Sequence, residues 1–178
     1  MIRACLGILI FALVAVSGCT KEEADFRIAD FATPFIHGYF ARDEAGNPMG
    51  VYGYAQPNVN LGDKSSFYES NYYVTIFPNP THNYLSVYTK SPEPNQMKKL
   101  WITPAILRPP FENGAVLTDS WNNFVAGGYP LLQLKFMENN AYLDLTDLPN
   151  GYYRLYLKVN DQLLFDNLVI DREFRPYR

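Results

Sequence analysis

From Tyr152 to Val159 the chain alternates without a break. Tyr153, Leu155, Leu157 and Val159 fall on one side, and Tyr152, Arg154, Tyr156 and Lys158 on the other. A period of two is the spacing of an extended strand with one buried face, and helical spacing would scatter these residues around the axis. Asn160-Asp161 follows, a pair that accepts the positive backbone angles of a two-residue hairpin turn, and Gln162 to Ile170 can supply the returning strand. The same alternation recurs upstream. Leu132, Leu134 and Phe136 alternate with Gln133 and Lys135, Leu143 and Leu145 with Tyr142 and Asp144, and Leu85 and Val87 with Tyr84, Ser86 and Tyr88. No long apolar stripe appears at helical spacing and no internal repeat is present. Aromatic residues make up 16% of the chain, and together with Val, Ile and Thr they favour pleated, half-buried strands. The expected class is all-β, a single antiparallel β-sandwich with no substantial helix in the mature chain.

The remaining segments fit that frame. Phe35–Phe40 and Gly50–Tyr54 flank the turn-rich Asp43-Glu44-Ala45-Gly46-Asn47-Pro48, which predicts a hairpin, and Pro57 to Ser66 reads as a surface loop. Tyr72–Phe77 is a strand stopped by Pro78-Asn79-Pro80, because proline cannot donate to a ladder and restricts the residue before it. Lys99–Thr103 is a shorter strand, and Pro104 to Gly128 is expected to be loop with at most short strands. At 178 residues the chain suits one folded domain, residues 31–178, preceded by a tether of mixed charge at 19–30.

Residues 1–18 have the character of a targeting peptide. Arg3 gives a short positive start, and the apolar run Leu6–Val16 is well below the roughly 20 residues that span a bilayer comfortably. The run ends in Val16-Ser17-Gly18-Cys19, which resembles the bacterial lipobox. That resemblance implies cleavage before Cys19 and a diacylglycerol on its thiol, with a further acyl chain. Several tens of buried methylenes at ~0.8 kcal/mol each then hold the protein on a membrane. Lys21, Glu22 and Glu23 follow at once, and they resemble the signal that sends Bacteroidetes lipoproteins to the outer face of the outer membrane.

A second resemblance lies in the folded part. Ile76-Phe77-Pro78-Asn79-Pro80-Thr81-His82-Asn83-Tyr84-Leu85-Ser86-Val87, and later Leu143-Asp144-Leu145-Thr146-Asp147-Leu148-Pro149-Asn150-Gly151-Tyr152-Tyr153, resemble two ordered segments of the C-terminal sorting domain of the type IX secretion system. The likeness covers residues 72–170. It implies a seven-stranded, immunoglobulin-like sandwich that serves as an address read by the secretion machinery. The chain departs from the family in its lipobox, in Asp171–Arg178 beyond the final strand, and in the long Met97–Gly128 connection, all of which count against a role as secreted cargo.

Chemistry is sparse. A net charge of −3 offers no basic surface for nucleic acid, and with Cys5 removed alongside the leader no disulfide remains in the mature chain. His37 and His82 form no paired ligand motif, so no metal is expected; the former suits a sheet and the latter a solvated loop. Asp43, Glu44 and Asn47 do not follow the order of a calcium loop and read as a plain turn. Ser120 beside Asp119 has no neighbouring histidine, and Asp144 and Asp147 sit where a strand end needs capping. No phosphate- or dinucleotide-binding motif occurs, and neither catalysis nor a cofactor is expected. The aromatics point instead to binding. Tyr84 and Tyr88, and Tyr152 and Tyr156, are placed opposite the aliphatic positions of their strands as a possible face for a protein or sugar, with Trp101, Trp121 and Tyr129 as possible additions. The leading expectation is an accessory or interaction subunit of an outer-membrane complex, either secretion or barrel machinery. The alternatives are a surface glycan- or peptide-binding lipoprotein and, third, type IX cargo.

Cys19→Ser should leave an uncut or soluble form without lipid, and incorporation of labelled palmitate by that variant would overturn the anchor. Alanine at Lys21, Glu22 and Glu23 should leave the protein lipidated but protected from protease added to intact cells, which should digest the unaltered protein.

Overall fold

A computed structural model describes residues 33–55, 71–93, 95–108, 111–112, 115–116 and 128–175. The leader, Cys19, Lys21, Glu22, Glu23, the whole 57–66 loop, Asp119, Ser120 and Trp121 lie outside them. The described elements are all strands: β1 (Phe35–Ile36), β2 (Gly38–Arg42), β3 (Pro48–Gly53), β4 (Tyr73–Phe77), β5 (Tyr84–Lys90), β6 (Lys98–Pro104), β7 (Ile106–Leu107), β8 (Phe111–Glu112), β9 (Ala115–Val116), β10 (Leu132–Phe136), β11 (Asn140–Asp144), β12 (Gly151–Val159) and β13 (Gln162–Ile170).

Two antiparallel sheets form the body. One runs β10-β6-β12-β13 and the other β11-β5-β4. Their aliphatic faces meet in one core, with Leu100, Ile102, Leu155, Leu157, Leu164 and Leu168 from the first sheet and Val74, Ile76, Leu85, Val87 and Leu143 from the second. Each fully buried side chain of this kind contributes roughly 1.5–3 kcal/mol. The expected hairpin of β12 and β13 is present, with Val159 paired to Gln162 and Asn160 in the left-handed region at φ 51°.

β6 differs from expectation. It is seven residues long and lies inside its sheet between β10 and β12. Lys98, an unlikely inner residue by type, is fully buried because its Nζ donates to the Met137 carbonyl at 2.8 Å. Burial holds that ammonium's pKa below its ordinary value, with Glu138 opposing the shift.

The outer face of the four-stranded sheet is covered as well. β2 and β3 form the expected hairpin, bulged at Ala41/Arg42, and the N-terminal segment is fastened to β12 and β13 by polar side chains. Arg154 Nη2 donates to the Phe35 carbonyl at 2.9 Å, its Nε reaches Asn167 Oδ1, and Asn167 Nδ2 donates to the Gly38 carbonyl at 2.7 Å. Arg42 reaches the fully buried Asp166 at 3.1 Å. These links explain how charged residues on a strand's polar side come to lie inside: each is paired or hydrogen-bonded.

Asn79, between the two prolines, joins the pieces. Its Nδ2 donates to the carbonyls of Phe40 at 2.8 Å and Asn167 at 2.9 Å, while Oδ1 accepts from the Val169 amide at 2.9 Å. Its backbone exchanges hydrogen bonds with Arg42 in both directions. Next to it, Thr81 pairs with the end of β13 through Val169 and Asp171. Beyond β13, Arg172 clasps the Pro-Asn-Gly turn, donating to the side-chain oxygens of Asn83 and Asn150 and to the carbonyls of Leu145, Thr146 and Leu148.

Asn79→Ala strands two carbonyls and an amide in the interior and should cost about 3 kcal/mol or more in urea unfolding. Asn79→Asp keeps the shape but turns oxygen toward both carbonyls, so it should be no milder; a midpoint within error of the parent in either variant would refute this role. Burial, opposed by Arg42, pushes the Asp166 carboxyl from 3.8 up to about 6. Its contribution to stability is therefore complete below pH 3.8 and lost as pH rises through about 6, at up to about 1.4 kcal/mol per pH unit. Asp166→Asn should flatten that part of the pH profile, and a parent-minus-variant difference constant from about pH 4 to pH 7 would show the carboxyl ionised throughout.

Candidate functional site

The three-stranded sheet turns its polar-patterned side outward, and this side carries tyrosines. On β5, Leu85 and Val87 point into the core, so Tyr84 and Tyr88 point away from it, at 68% and 38% exposure. On β11, Ala141 and Leu143 are core residues and Tyr142 between them is 80% exposed. The register places Tyr142 opposite Ser86, flanked diagonally by Tyr84 and Tyr88, at the usual Cα spacing of about 7–8 Å. On the other side of β5, Phe77 faces Ser86, Thr75 faces Tyr88, and the exposed Tyr73 faces Lys90. Ser86 thus forms a low point between aromatic side chains on three strands. Thr81 Oγ1 fixes the start of β5 by donating to the Tyr84 carbonyl at 2.6 Å, and Thr89 Oγ1 fixes its far end through the Asn139 carbonyl. Asp144, at the rim, accepts from both the amide and hydroxyl of Thr146, which hold its carboxyl below the usual range.

Tyr152 and Tyr156 do not join this face. They lie on β12, in the opposite sheet, and because the two aliphatic faces meet in the core, the outward faces point in opposite directions. Tyr156 is buried in a cluster with Trp101 and Phe165, its ring 5.4 Å from that of Trp101. This corrects the reading of Tyr156 as a contact residue: its cross-strand neighbours are Phe165 and Trp101, both large aromatics, and the three close over one another. Tyr129 is exposed, just upstream of β10 in that same sheet.

Tyr152 is half-buried and lines a different feature, a cleft of about 340 Å³ with His37, Gly38, Tyr39, Tyr52, Gly53, Leu107 and Arg108. Tyr39 and Tyr52, paired across β2 and β3, stack with ring centres 5.0 Å apart. A Cβ on Gly38 would overlap the Tyr52 carbonyl, so the hairpin closes this tightly only with glycine there. His37, expected within a strand, falls instead between β1 and β2, where it is buried with Nδ1 3.2 Å from the Arg108 carbonyl.

A second cleft of about 350 Å³ lies where Asp43, Glu44 and Met49 approach Pro78, Pro80, His82 and Phe174. His82 is exposed and meets the Phe174 carbonyl at 3.0 Å. Asp43 closes its own turn, accepting from the amides of Ala45 and Asn47 and from the Asn47 side chain, bonds that lower its pKa. Among the described residues no group of three or more His, Cys, Asp or Glu is placed to hold a metal ion, and no helix is long and apolar enough to cross a membrane.

No family model matches the chain. No curated protein matches it either. Among solved structures, the chain is similar to the crystal structure of a DUF3244 family protein with an immunoglobulin-like β-sandwich fold from Bacteroides vulgatus, at 12% identity over 55% of this chain and 84% of that one, with a TM-score of 0.35.

Proposed function

We infer that this chain is a noncatalytic lipoprotein, anchored to the outer membrane through Cys19, that serves as an interaction subunit of an envelope protein complex, with the tyrosine face of β4, β5 and β11 as its docking surface. The observation that carries the reading is the contrast between the two outer faces. One is overlaid by residues 33–54 with paired polar side chains; the other holds Tyr73, Tyr84, Tyr88 and Tyr142 in the open. Tyrosine combines a large ring with a hydroxyl and few rotatable bonds, which suits it to protein interfaces, and an aromatic centre with polar neighbours such as Asn140, Asp144 and Lys90 resembles the arrangement of interface hot spots.

The sequence resemblances support the same reading and suggest the host. A sorting domain is a sandwich that secretion machinery recognises, and a lipid-anchored version would present that recognition surface without being released. The assembly of a secretion system or outer-membrane barrel is accordingly the proposed partner, on the cell-surface side that Lys21, Glu22 and Glu23 suggest.

A photo-crosslinking residue at Tyr142 or Tyr84 in the full lipidated chain should give one discrete protein adduct in native membranes, whereas the same residue at Tyr52 should not. Tyr84→Ala with Tyr142→Ala should weaken recovery of that partner about tenfold or more per hot-spot residue without lowering the unfolding midpoint. Absence of any adduct at Tyr84 and Tyr142, or unchanged recovery by the double variant, would remove the tyrosine face from the proposal.

A further inference from the structure

The cleft beside the N-terminal hairpin has the makings of a separate site. It lies on the opposite side of the sandwich from the tyrosine face, and its walls combine three phenols with one cation: Tyr39, Tyr52, Tyr152 and Arg108. The Arg108 guanidinium carbon sits 3.4 Å from the centre of the Phe35 ring, so the planar group is laid flat on an aromatic support while Arg108 itself stays exposed. Among the described residues Arg108 has no carboxylate partner. A guanidinium supported in one plane keeps its fork of N–H donors pre-arranged for a planar anion.

The main chain around the cleft is already committed. The Tyr54 amide donates to the His37 carbonyl, the Arg108 amide to the Ile36 carbonyl and the Ala105 amide to the Tyr152 carbonyl, while β2 and β3 pair with each other from Gly38–Gly53 to Arg42–Pro48. A peptide adding to a sheet edge needs free ladder groups; those just named are taken, and the outer edge of β3, which pairs with β2 alone, points away from β2. What remains for a ligand is ring faces, phenolic hydroxyls and the guanidinium. The Tyr39 phenol is pushed up to about 12, chiefly by burial and further by Tyr52, Tyr152 and Asp171; like any phenol it is a hydrogen-bond donor at neutral pH.

We propose that this cleft binds a carboxylate-bearing sugar residue, with the sugar ring against the stacked Tyr39–Tyr52 pair, its hydroxyls at phenols lining the cleft, and its carboxylate on Arg108. A pyranose presents an apolar C–H face on one side and hydroxyls at its edge, which is the complement of a tyrosine ring with further phenols beside it. The cleft volume of about 340 Å³ falls within the roughly 300–1,000 Å³ of small-ligand sites and suits one terminal residue of a glycan. This site is independent of the protein-docking role proposed for the tyrosine face.

The test uses the full lipidated chain in detergent micelles and measures binding of a glucuronate-terminated disaccharide, 3′-sialyllactose, neutral lactose, and a short peptide with a free C-terminal carboxylate. The expected result is binding of at least one acidic sugar, preferred over lactose by about ten- to hundredfold, and that preference abolished in Arg108→Gln. Tyr52→Ala should weaken acidic and neutral sugars alike. Both positions are exposed, and an unfolding midpoint equal to the parent's certifies each variant; Arg108→Lys, which keeps the charge but loses the fork, should fall between parent and Gln. No binding of either acidic sugar, equal binding of lactose, an unchanged preference in Arg108→Gln, or binding of the peptide instead of the sugars would each overturn the proposal. Crosslinking at Tyr142 should be unaffected by any of these variants, so the two sites fail or succeed separately.

Discussion

Every polar atom of the Asn79 side chain is used, and its bonds tie β2 to β13. The amide nitrogen bridges a carbonyl of β2 and a carbonyl of β13, the amide oxygen takes a β13 amide, and the backbone pairs with Arg42. A glutamine would not reach with the same geometry, and an aspartate would set oxygen against oxygen. The flanking prolines have no N–H of their own to satisfy, so at this corner the asparagine alone supplies the donors. The outer edge of β13 is thereby bonded at Asn167 and Val169, and the hairpin β2–β3 is held where it can build the cleft. An open edge would otherwise present unpaired ladder groups to other chains.

Strands whose order is local were legible in the sequence. β12, the Asn160 turn and β13 follow from alternation and one dipeptide, and the body of two packed antiparallel sheets follows from several such strands. β6 was harder to read because Lys98, Lys99 and Pro104 obscure its length, and the reason they are tolerated is non-local: the Met137 carbonyl waits for the Lys98 ammonium, and Pro104 sits at the strand's last position. Alternation also says which residues oppose one another, without saying what lies on the far side. β5 and β12 carry the same tyrosine spacing, yet one outward face is open and the other lies beneath the N-terminal segment. Arg154 is the residue in which this was visible in principle, since a charge on a strand so rich in aromatics needs a partner when covered, but the partner carbonyl of Phe35 lies 119 positions away.

The two surfaces also differ in how they are built. The tyrosine face belongs to three strands whose pairing survives as long as the sandwich does. The cleft is assembled from an added layer, with Tyr39 and Tyr52 on the hairpin, Arg108 after β7 and Tyr152 on the body. Its geometry depends on Asn167 and Arg154 holding that layer down, so loosening the polar seam should be felt at the cleft before it is felt in the core.

The seam has a temporal consequence. Asn167 grips Gly38 across 129 positions and Asp166 grips Arg42 across 124, so the early hairpin is not fastened to the four-stranded sheet until its last strand exists. Contacts this distant in sequence make for slow folding, and the early hairpin is too small to be stable alone. A chain emerging N-terminus first therefore stays pliable through most of its synthesis, which is the condition in which a polypeptide can be threaded through a membrane channel before it sets.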